Sequence, residues 1–118
     1  MPDRFIDIAA VIATKNYATA RSWYVRVIGR EPDLEPIEGV GEWQIAATAW
    51  LQLAEDHDRA GKTAVRLGVD DLAAQVSALH AEGIETGELV VIADLVEVVD
   101  VADPDGNEVS FVQDLRTE

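Results

Sequence analysis

The sequence predicts an α+β fold of two βαβββ modules that form a curved mixed sheet around a concave pocket, with the helices on the outside. A strand pattern followed by an amphipathic helix occurs twice, with an offset of about 55 residues. Each helix has one apolar stripe and covers one face of a sheet, so one module cannot close its own core and two must pack together. We assign residues 1–118 to a single domain, with module 1 at about 1–56 and module 2 at about 62–118.

The first module begins with a strand over 5–13, where apolar residues occupy both faces of an extended segment. A helix follows from Tyr17 to Ile28, because its apolar residues recur at helical spacing. Asn16 is a suitable N-cap, and Gly29 can adopt the left-handed conformation that ends a helix. These local signals predict one strand and one helix with defined ends.

The remainder of the first module is predicted as strands. The segment 31–37 contains two prolines, which lack the amide hydrogen that a central strand needs, so it is predicted as an edge strand. A strand pair follows at 42–47 and 49–54, where apolar and polar residues alternate. The charged loop 55–61 separates the two modules.

The second module repeats this order. A strand is predicted over 63–69, and a helix that runs to about Ala81 is capped by Asp70 and Asp71 and ended by Gly83. Further strands are predicted at 88–92, 95–101 and 107–112. The turn sequence DPDG at 103–106 separates the last two of them, because aspartate, proline and glycine favour a tight reversal of the chain.

Composition excludes several classes of function. The net charge of −14, from 23 acidic against 9 basic residues, argues against binding to nucleic acid or to anionic membranes, and would attract a cationic small molecule. The absence of cysteine excludes disulfides, thiolate metal sites and a cysteine nucleophile. No leader pattern and no apolar run of about 20 residues is present, so we expect a cytoplasmic protein.

A resemblance to a known family rests on three segments. They are ARSWYVRVIG at 20–29, VDDL at 69–72 and DPDGN at 103–107. In this order and spacing they resemble the first helix, the entry to the second helix and the last hairpin of the vicinal oxygen chelate superfamily, which includes glyoxalases, bleomycin-resistance proteins and ring-cleaving dioxygenases. The resemblance implies the same fold over nearly the whole chain.

The resemblance also implies where a metal would bind. Enzymes of this superfamily usually hold a divalent metal with four His, Gln or Glu side chains, on the first and last strand of each module. In this sequence the four positions fall on Ala9, Gln52, Ala64 and Ser110. Alanine has no donor atom, so we expect no metal and no other cofactor. The histidines do not replace these ligands, because His57 lies in the acidic loop and His80 lies on the second helix.

Strand alternation predicts which side chains face away from the helices and into the pocket. The ligand-binding candidates are Asp7, Trp43, Trp50, Gln52, Arg66, Glu108 and Ser110, with the face of Trp43 left open. An indole such as that of Trp50 can stack on a planar ring or hold a cation. Arg66 can bind a carboxylate or pair with a nearby acid, whereas Asp7 and Glu108 can pair with a cationic group or act in acid–base catalysis.

Three functional interpretations follow. The first is metal-free binding or sequestration of a planar or cationic small molecule, as in the bleomycin-resistance branch. The second is a lyase, isomerase or dioxygenase-type enzyme that uses pocket carboxylates or a metal, and the third is an interaction module with a filled pocket. A homodimer is expected, because one chain leaves an edge strand and one side of the pocket uncovered.

Overall fold

The computed structural model describes residues 4–116 and confirms an α+β fold. The elements in chain order are β1 Ile8–Thr14, α1 Tyr17–Ile28, β2 Val40–Ala46, β3 Ala49–Glu55, β4 Ala64–Gly68, α2 Leu72–Ala81, β5 Val90–Ile92, β6 Val96–Ala102 and β7 Glu108–Asp114. Within the described residues, neither helix has the length and apolar character needed to cross a bilayer.

Each module contributes one mixed sheet. The first sheet has the order β1-β3-β2 and the second the order β4-β7-β6-β5. In both, the first strand of the module pairs in parallel with the last one, and the remaining neighbours are antiparallel. The predicted internal repeat is therefore visible in the strand pairing.

The local signals for the helices are confirmed. The side chain of Asn16 accepts a hydrogen bond from the backbone N–H of Thr19, and that of Asp71 accepts one from Ala74. Gly29 has a φ of 91°, in the left-handed region, and ends α1 as predicted.

The predicted edge strand at 31–37 is wrong. This segment makes only one isolated bridge, between Leu34 and Glu42. Pro32 and Pro36 have no amide hydrogen, and each also restricts the residue before it, so the segment cannot form a continuous ladder. The first sheet therefore has one strand fewer than the second.

Side chains fix the 31–37 segment to α1 instead. The Arg21 guanidinium bonds Glu31 at 2.6 Å and Glu35 at 2.9 Å. The Tyr17 hydroxyl donates a 2.6 Å hydrogen bond to the same Glu35 carboxylate. The arginine and the tyrosine hold the Glu35 carboxylate in its charged form, which lowers the pKa of that group.

The core lies between the helices and the sheet faces that they cover. Its fully buried large side chains include Ile12, Tyr24, Trp43, Leu51, Leu53, Leu72, Leu79, Val99, Val109 and Phe111. The buried members of α1, Ala20, Tyr24 and Val27, belong to the apolar stripe read from the sequence. The opposite sheet faces are left for the pocket.

A buried polar network joins the two modules where β1 and β4 face each other. The side-chain amide of Asn107 donates to the backbone oxygen of Ala13 at 2.8 Å, and the Thr63 hydroxyl donates to Asn107 Oδ1 at 2.6 Å. The Thr63 hydroxyl also accepts the Ala13 N–H at 3.2 Å. Asn107 in turn bonds Asp103, which accepts the hydroxyl of Tyr24 at 2.7 Å. No strand ladder connects β1 with β4 within residues 4–116, so this network holds their ends together.

Candidate functional site

The candidate site lies where the two sheets meet, and its polar and aromatic candidates Trp50 and Arg66 are on the faces that point away from the helices. Strand pairing sets Ala9 of β1 beside Trp50 of β3. In the second sheet it sets Arg66 of β4 beside Ser110 of β7, which in turn lies beside Asp100 of β6. Parallel and antiparallel neighbours share a face, so each row projects its side chains into the same hollow.

A cleft of about 420 Å³ opens between the facing edges of β1 and β4, and we call it the seam cleft. It is lined by Ile8, Ala9, Ala10, Ile45, Ala46, Ala49, Trp50, Leu51, Val65, Arg66, Leu67 and Gly68. Among the residues that the structure describes, Trp50 is its one aromatic residue and Arg66 its one charged residue. The small side chains of Ala9 and Ala46, both exposed, leave the cleft open.

Arg66 also borders two neighbouring clefts. One, of about 510 Å³, is lined by Gly68, Val69, Asp70, Val96, Val112 and Asp114 in addition to Arg66. The other, of about 290 Å³, contains Ala64, Val65, Glu108 and Ser110 beside it. Arg66 is therefore the residue that lines all three depressions.

Backbone groups also face the seam cleft. The Ile8 N–H donates to the oxygen of Thr48 beside β3, so alternation turns the N–H and C=O of Ala9 toward β4. In β4, the oxygen of Thr63 accepts the N–H of Glu108, so the N–H and C=O of Arg66 point the other way, toward β1. The cleft thus offers backbone donors and acceptors as well as an indole and a guanidinium.

The residues at the metal-ligand positions do not fit a divalent cation. The side chains of Ala9 and Ala64 have no donor atom. The side-chain amide of Gln52 donates to Glu42 at 2.6 Å, and the Ser110 hydroxyl donates to Asp100 at 2.6 Å. Within residues 4–116, no group of three or more His, Cys, Asp or Glu side chains is arranged to hold a metal ion.

The two histidines lie outside the hollow. His57 is exposed in the acidic loop, with its Nε2 3.9 Å from Glu55 Oε2. His80 lies on the exposed side of α2, where its Nε2 is 3.0 Å from the hydroxyl of Thr86. Neither imidazole reaches the positions that the resemblance assigns to metal ligands.

Trp43, a predicted ligand-binding candidate, does not line the pocket. Its side chain has 0% exposure, and its Nε1 donates to the backbone oxygen of Arg30 at 2.9 Å. The alternation of β2 turns Trp43 toward the helices together with Gly41 and Ile45. A ligand in the hollow cannot reach a side chain that is fully enclosed by the core.

The other predicted ligand-binding residues do not all line the same cleft. Trp50 and Arg66 line one cleft, and Glu108 and Ser110 line another with Arg66. Gln52 lies two residues beyond Trp50 on β3 and is bound to Glu42. Asp7 is exposed just before β1 and does not line any of these clefts.

Two carboxylates of the hollow are not among the ligand-binding residues predicted from the sequence. Glu42 and Asp100 accept the hydrogen bonds of Gln52 and Ser110, respectively. Both lie on predicted strands, but their partners are fixed by the register of β2 with β3 and of β6 with β7. An alternating pattern predicts which side chains share a face of a strand. It does not predict which residues of the neighbouring strand lie opposite them.

Comparisons with known proteins agree with this architecture. The crystal structure of a glyoxalase/bleomycin resistance protein from Catenulispora acidiphila matches with a TM-score of 0.85 and 30% identity, and the match covers 92% of this chain and 97% of that one. A lactoylglutathione lyase from Agrobacterium tumefaciens matches with a TM-score of 0.77 and 17% identity, over 96% of both chains. A bleomycin resistance determinant encoded on transposon Tn5 gives 0.76 and 15%, over 90% and 95%.

Neither a protein-family model nor a curated protein sequence matches the chain. The lyase and the transposon-encoded determinant, at 15–17% identity, show a common fold only. The Catenulispora protein shares both the fold and 30% of its residues over nearly the full length of the two chains. The chain therefore belongs to the glyoxalase/bleomycin resistance protein family, within the vicinal oxygen chelate superfamily.

Proposed function

We propose that this protein binds and sequesters a planar small molecule in the seam cleft, through side chains and without a metal. One observation carries the proposal: an indole and a guanidinium, Trp50 and Arg66, line a cleft that is otherwise built from apolar side chains and glycine. A volume of about 420 Å³ falls within the range of small-molecule sites, which combine apolar walls with a few polar groups.

Trp50 supplies the surface for a flat ligand. It is half-buried, so part of its indole remains accessible. Its neighbours across the two ladders are Ala9, whose side chain is a single methyl group, and Gln44, whose side-chain amide donates to the Ala47 oxygen. Stacking on an aromatic face adds about 0.5–1.5 kcal/mol to the hydrophobic contribution, which suits a planar ring.

The residues at the four metal-ligand positions favour ligand binding over metal-dependent catalysis. Two of the four ligand positions are alanines, and the polar side chains at the other two already bond carboxylates. The lyase or isomerase alternative would use Asp7 or Glu108 together with Arg66. Asp7 lies outside the clefts that Arg66 lines, whereas Glu108 lines one of them with Arg66. Sequestration also agrees with the resistance role named for the transposon-encoded neighbour.

A cationic ligand, the alternative suggested by the net charge, is less well supported at this cleft. Of the described part of the chain, 4–116, the only charged side chain that lines it is Arg66, which would repel a positive group. We therefore propose a planar ligand and not a cationic one.

We further propose that the protein acts as a cytoplasmic homodimer. The edge strand β5 and its flanks expose large apolar side chains: Leu89 49%, Val90 51%, Val91 49%, Ile92 51% and Leu95 49%. Phe5 and Ile6, ahead of β1, are about 80% exposed. An exposed apolar edge strand is open to pairing with another chain, and a second copy is the partner always present.

Sedimentation or light scattering at micromolar concentration tests the dimer. We expect twice the chain mass of 12.8 kDa, and a shift toward the monomer in Val91→Glu/Ile92→Glu. A monomeric wild-type chain would reject this part of the proposal.

Tryptophan fluorescence and thermal shift test ligand binding. Planar compounds that are neutral, anionic or cationic are titrated into the wild type, Trp50→Phe and Trp23→Phe. Trp23 is a matched control, because it is also half-buried but lies on α1, away from the seam cleft. We expect quenching and a higher melting temperature in the wild type, with the quenching lost only in Trp50→Phe. Binding that is insensitive to Trp50→Phe would contradict the assigned site.

A further inference from the structure

The seam cleft contains an arginine without an acidic partner. Within residues 4–116, the carboxylate-paired arginines are Arg21, Arg26, Arg30, Arg59 and Arg116. Arg4 lies over the ring of Phe5, with its Cζ 5.7 Å from the centroid. Arg66 alone among the described arginines has neither an ion pair nor a ring contact, in a chain with 23 acidic residues.

The surroundings keep this guanidinium available. The neighbouring positions on the same face of β4 are Ala64 and Gly68, which are too small to cover it. Ser110, its neighbour on β7, directs its hydroxyl proton to Asp100 instead. Glu108 is diagonal to Arg66 across the ladder, where Cα atoms are about 7–8 Å apart, and it makes no ion pair with it.

We propose that the planar ligand of the seam cleft carries a carboxylate, which Arg66 binds while Trp50 stacks on the ring. This inference rests on the proposed function and specifies the chemical class of the ligand as an aromatic carboxylate. An arginine fork matches the two oxygens of a carboxylate, and such charge-assisted bonds are the stronger kind. The net charge of −14 opposes an anion, but charges beyond about 8 Å are largely screened at physiological salt, so the adjacent guanidinium decides.

Three compounds that differ only in the polar group test the proposal: 1-naphthoate, 1-naphthamide and 1-naphthylmethylammonium. Their dissociation constants are measured by calorimetry on the full chain. In the wild type we expect naphthoate to bind at least about tenfold more tightly than naphthamide, as the loss of a hydrogen bond to a charged group predicts. The ammonium compound should bind most weakly.

Arg66→Gln is compared with Arg59→Gln, which removes the same charge from an ion pair in the acidic loop. Arg66→Gln should abolish the preference for the carboxylate and leave the affinity for naphthamide within about twofold, because the amide does not use the positive charge. Arg59→Gln should leave all three affinities unchanged, and Arg66→Lys should restore part of the preference through its point charge.

The possible failures are distinguishable. If none of the three compounds binds, both this inference and the proposed function fail. If naphthamide or the ammonium compound binds as tightly as naphthoate, and Trp50→Phe weakens that binding, the proposed function stands and the carboxylate class is overturned. A preference for naphthoate that survives Arg66→Gln would overturn the role of Arg66.

Discussion

The hydroxyl of Tyr24, on the first helix, donates a 2.7 Å hydrogen bond to Oδ2 of Asp103, which lies before the turn that leads into the last strand. Asp103 is 5% exposed, and each of its oxygens accepts two hydrogen bonds. Oδ2 also accepts the side-chain amide of Asn107 at 2.8 Å, and Oδ1 accepts the backbone N–H groups of Asp105 and Asn107, both at 2.9 Å. A buried carboxylate is tolerated when its acceptor sites are filled in this way, so the bond connects the two modules through a satisfied charge.

Replacing Asp103 by Asn should destabilise the protein. An amide NH₂ would face donors where the carboxylate accepts, so we expect a loss of about 2–3 kcal/mol in the free energy of unfolding, measured with urea. Asp105→Asn is the control in the same turn, since its side chain accepts one bond, from the Lys15 N–H at 3.0 Å, and it should cost less than about 1 kcal/mol. Equal costs for the two variants would show that Asp103 has no special role.

Stability should fall at alkaline pH because of Tyr24. Burial first, and then the Asp103 carboxylate, raise the pKa of its phenol above the ordinary value. In the unfolded chain the phenol ionises near pH 10, so above that pH unfolding releases a proton that the folded state retains. The free energy of unfolding should then decrease by up to about 1.4 kcal/mol per pH unit from this group.

Urea unfolding of the wild type and Tyr24→Phe between pH 9 and 11.5 isolates this contribution, because all other titrating groups are shared. The wild type should lose stability more steeply than the variant above pH 10. Parallel pH profiles would rule out Tyr24 as the cause.

Gly41 should be coupled to Tyr17. A Cβ at Gly41 would overlap the Tyr17 hydroxyl, which bonds Glu35 at 2.6 Å. Gly41→Ala should therefore cost about 1–2 kcal/mol in the wild type, but less than half of that in a Tyr17→Phe background, where the hydroxyl is absent. Urea unfolding of the four proteins of this double-mutant cycle measures the coupling, and identical costs in both backgrounds would disprove it.

Elements defined by neighbouring residues were predictable from sequence. The caps Asn16 and Asp71 and the stop at Gly29 act within a single turn of helix, so their signals are local. The segment 31–37 was predicted as an edge strand because an edge tolerates proline, but its two prolines prevent a continuous ladder there as well. Arg21 and Tyr17 of α1 hold this segment instead, and a local sequence pattern does not show such contacts.

The buried face of Trp43 follows from the alternation within its own strand. Glu42 and Gln44 alternate with Trp43 and Ile45, a pattern that assigns the apolar pair to the core. Alternation did place Trp50 and Arg66 on the faces opposite the helices.

The seam cleft itself was not predictable, because it depends on how β1 and β4 face each other. That packing is set by contacts such as Asn107 with Ala13, which are 94 residues apart. The turn sequence DPDGN predicts a reversal of the chain. It does not predict the hydrogen bond from Asn107 to Ala13 in the other module.

Gly68 should control access to the seam cleft. It lines the cleft, and a Cβ added there meets no atom within 4 Å. Gly68→Val should therefore leave the melting temperature unchanged or raise it, because valine favours a strand more than glycine does. The same valine should weaken the binding of 1-naphthoate at least about tenfold by filling the space of the ring.

Ala102→Val is the control for Gly68→Val, since Ala102 is an exposed strand position outside the cleft. It should leave the affinity for 1-naphthoate unchanged. A Gly68→Val protein that is stable and binds 1-naphthoate with wild-type affinity would mean that the ligand lies elsewhere.

The most direct test of metal-free binding in the seam cleft is a calorimetric titration of the chelator-treated protein with 1-naphthoate, repeated with added Zn²⁺, Ni²⁺ or Mn²⁺. The side chains of Ala9 and Ala64 provide no donor atom, so a divalent cation would lack two of its four side-chain ligands. We predict one molecule bound per chain with the same dissociation constant in every case. Binding that disappears with the chelator and returns with one of these metals would contradict the account.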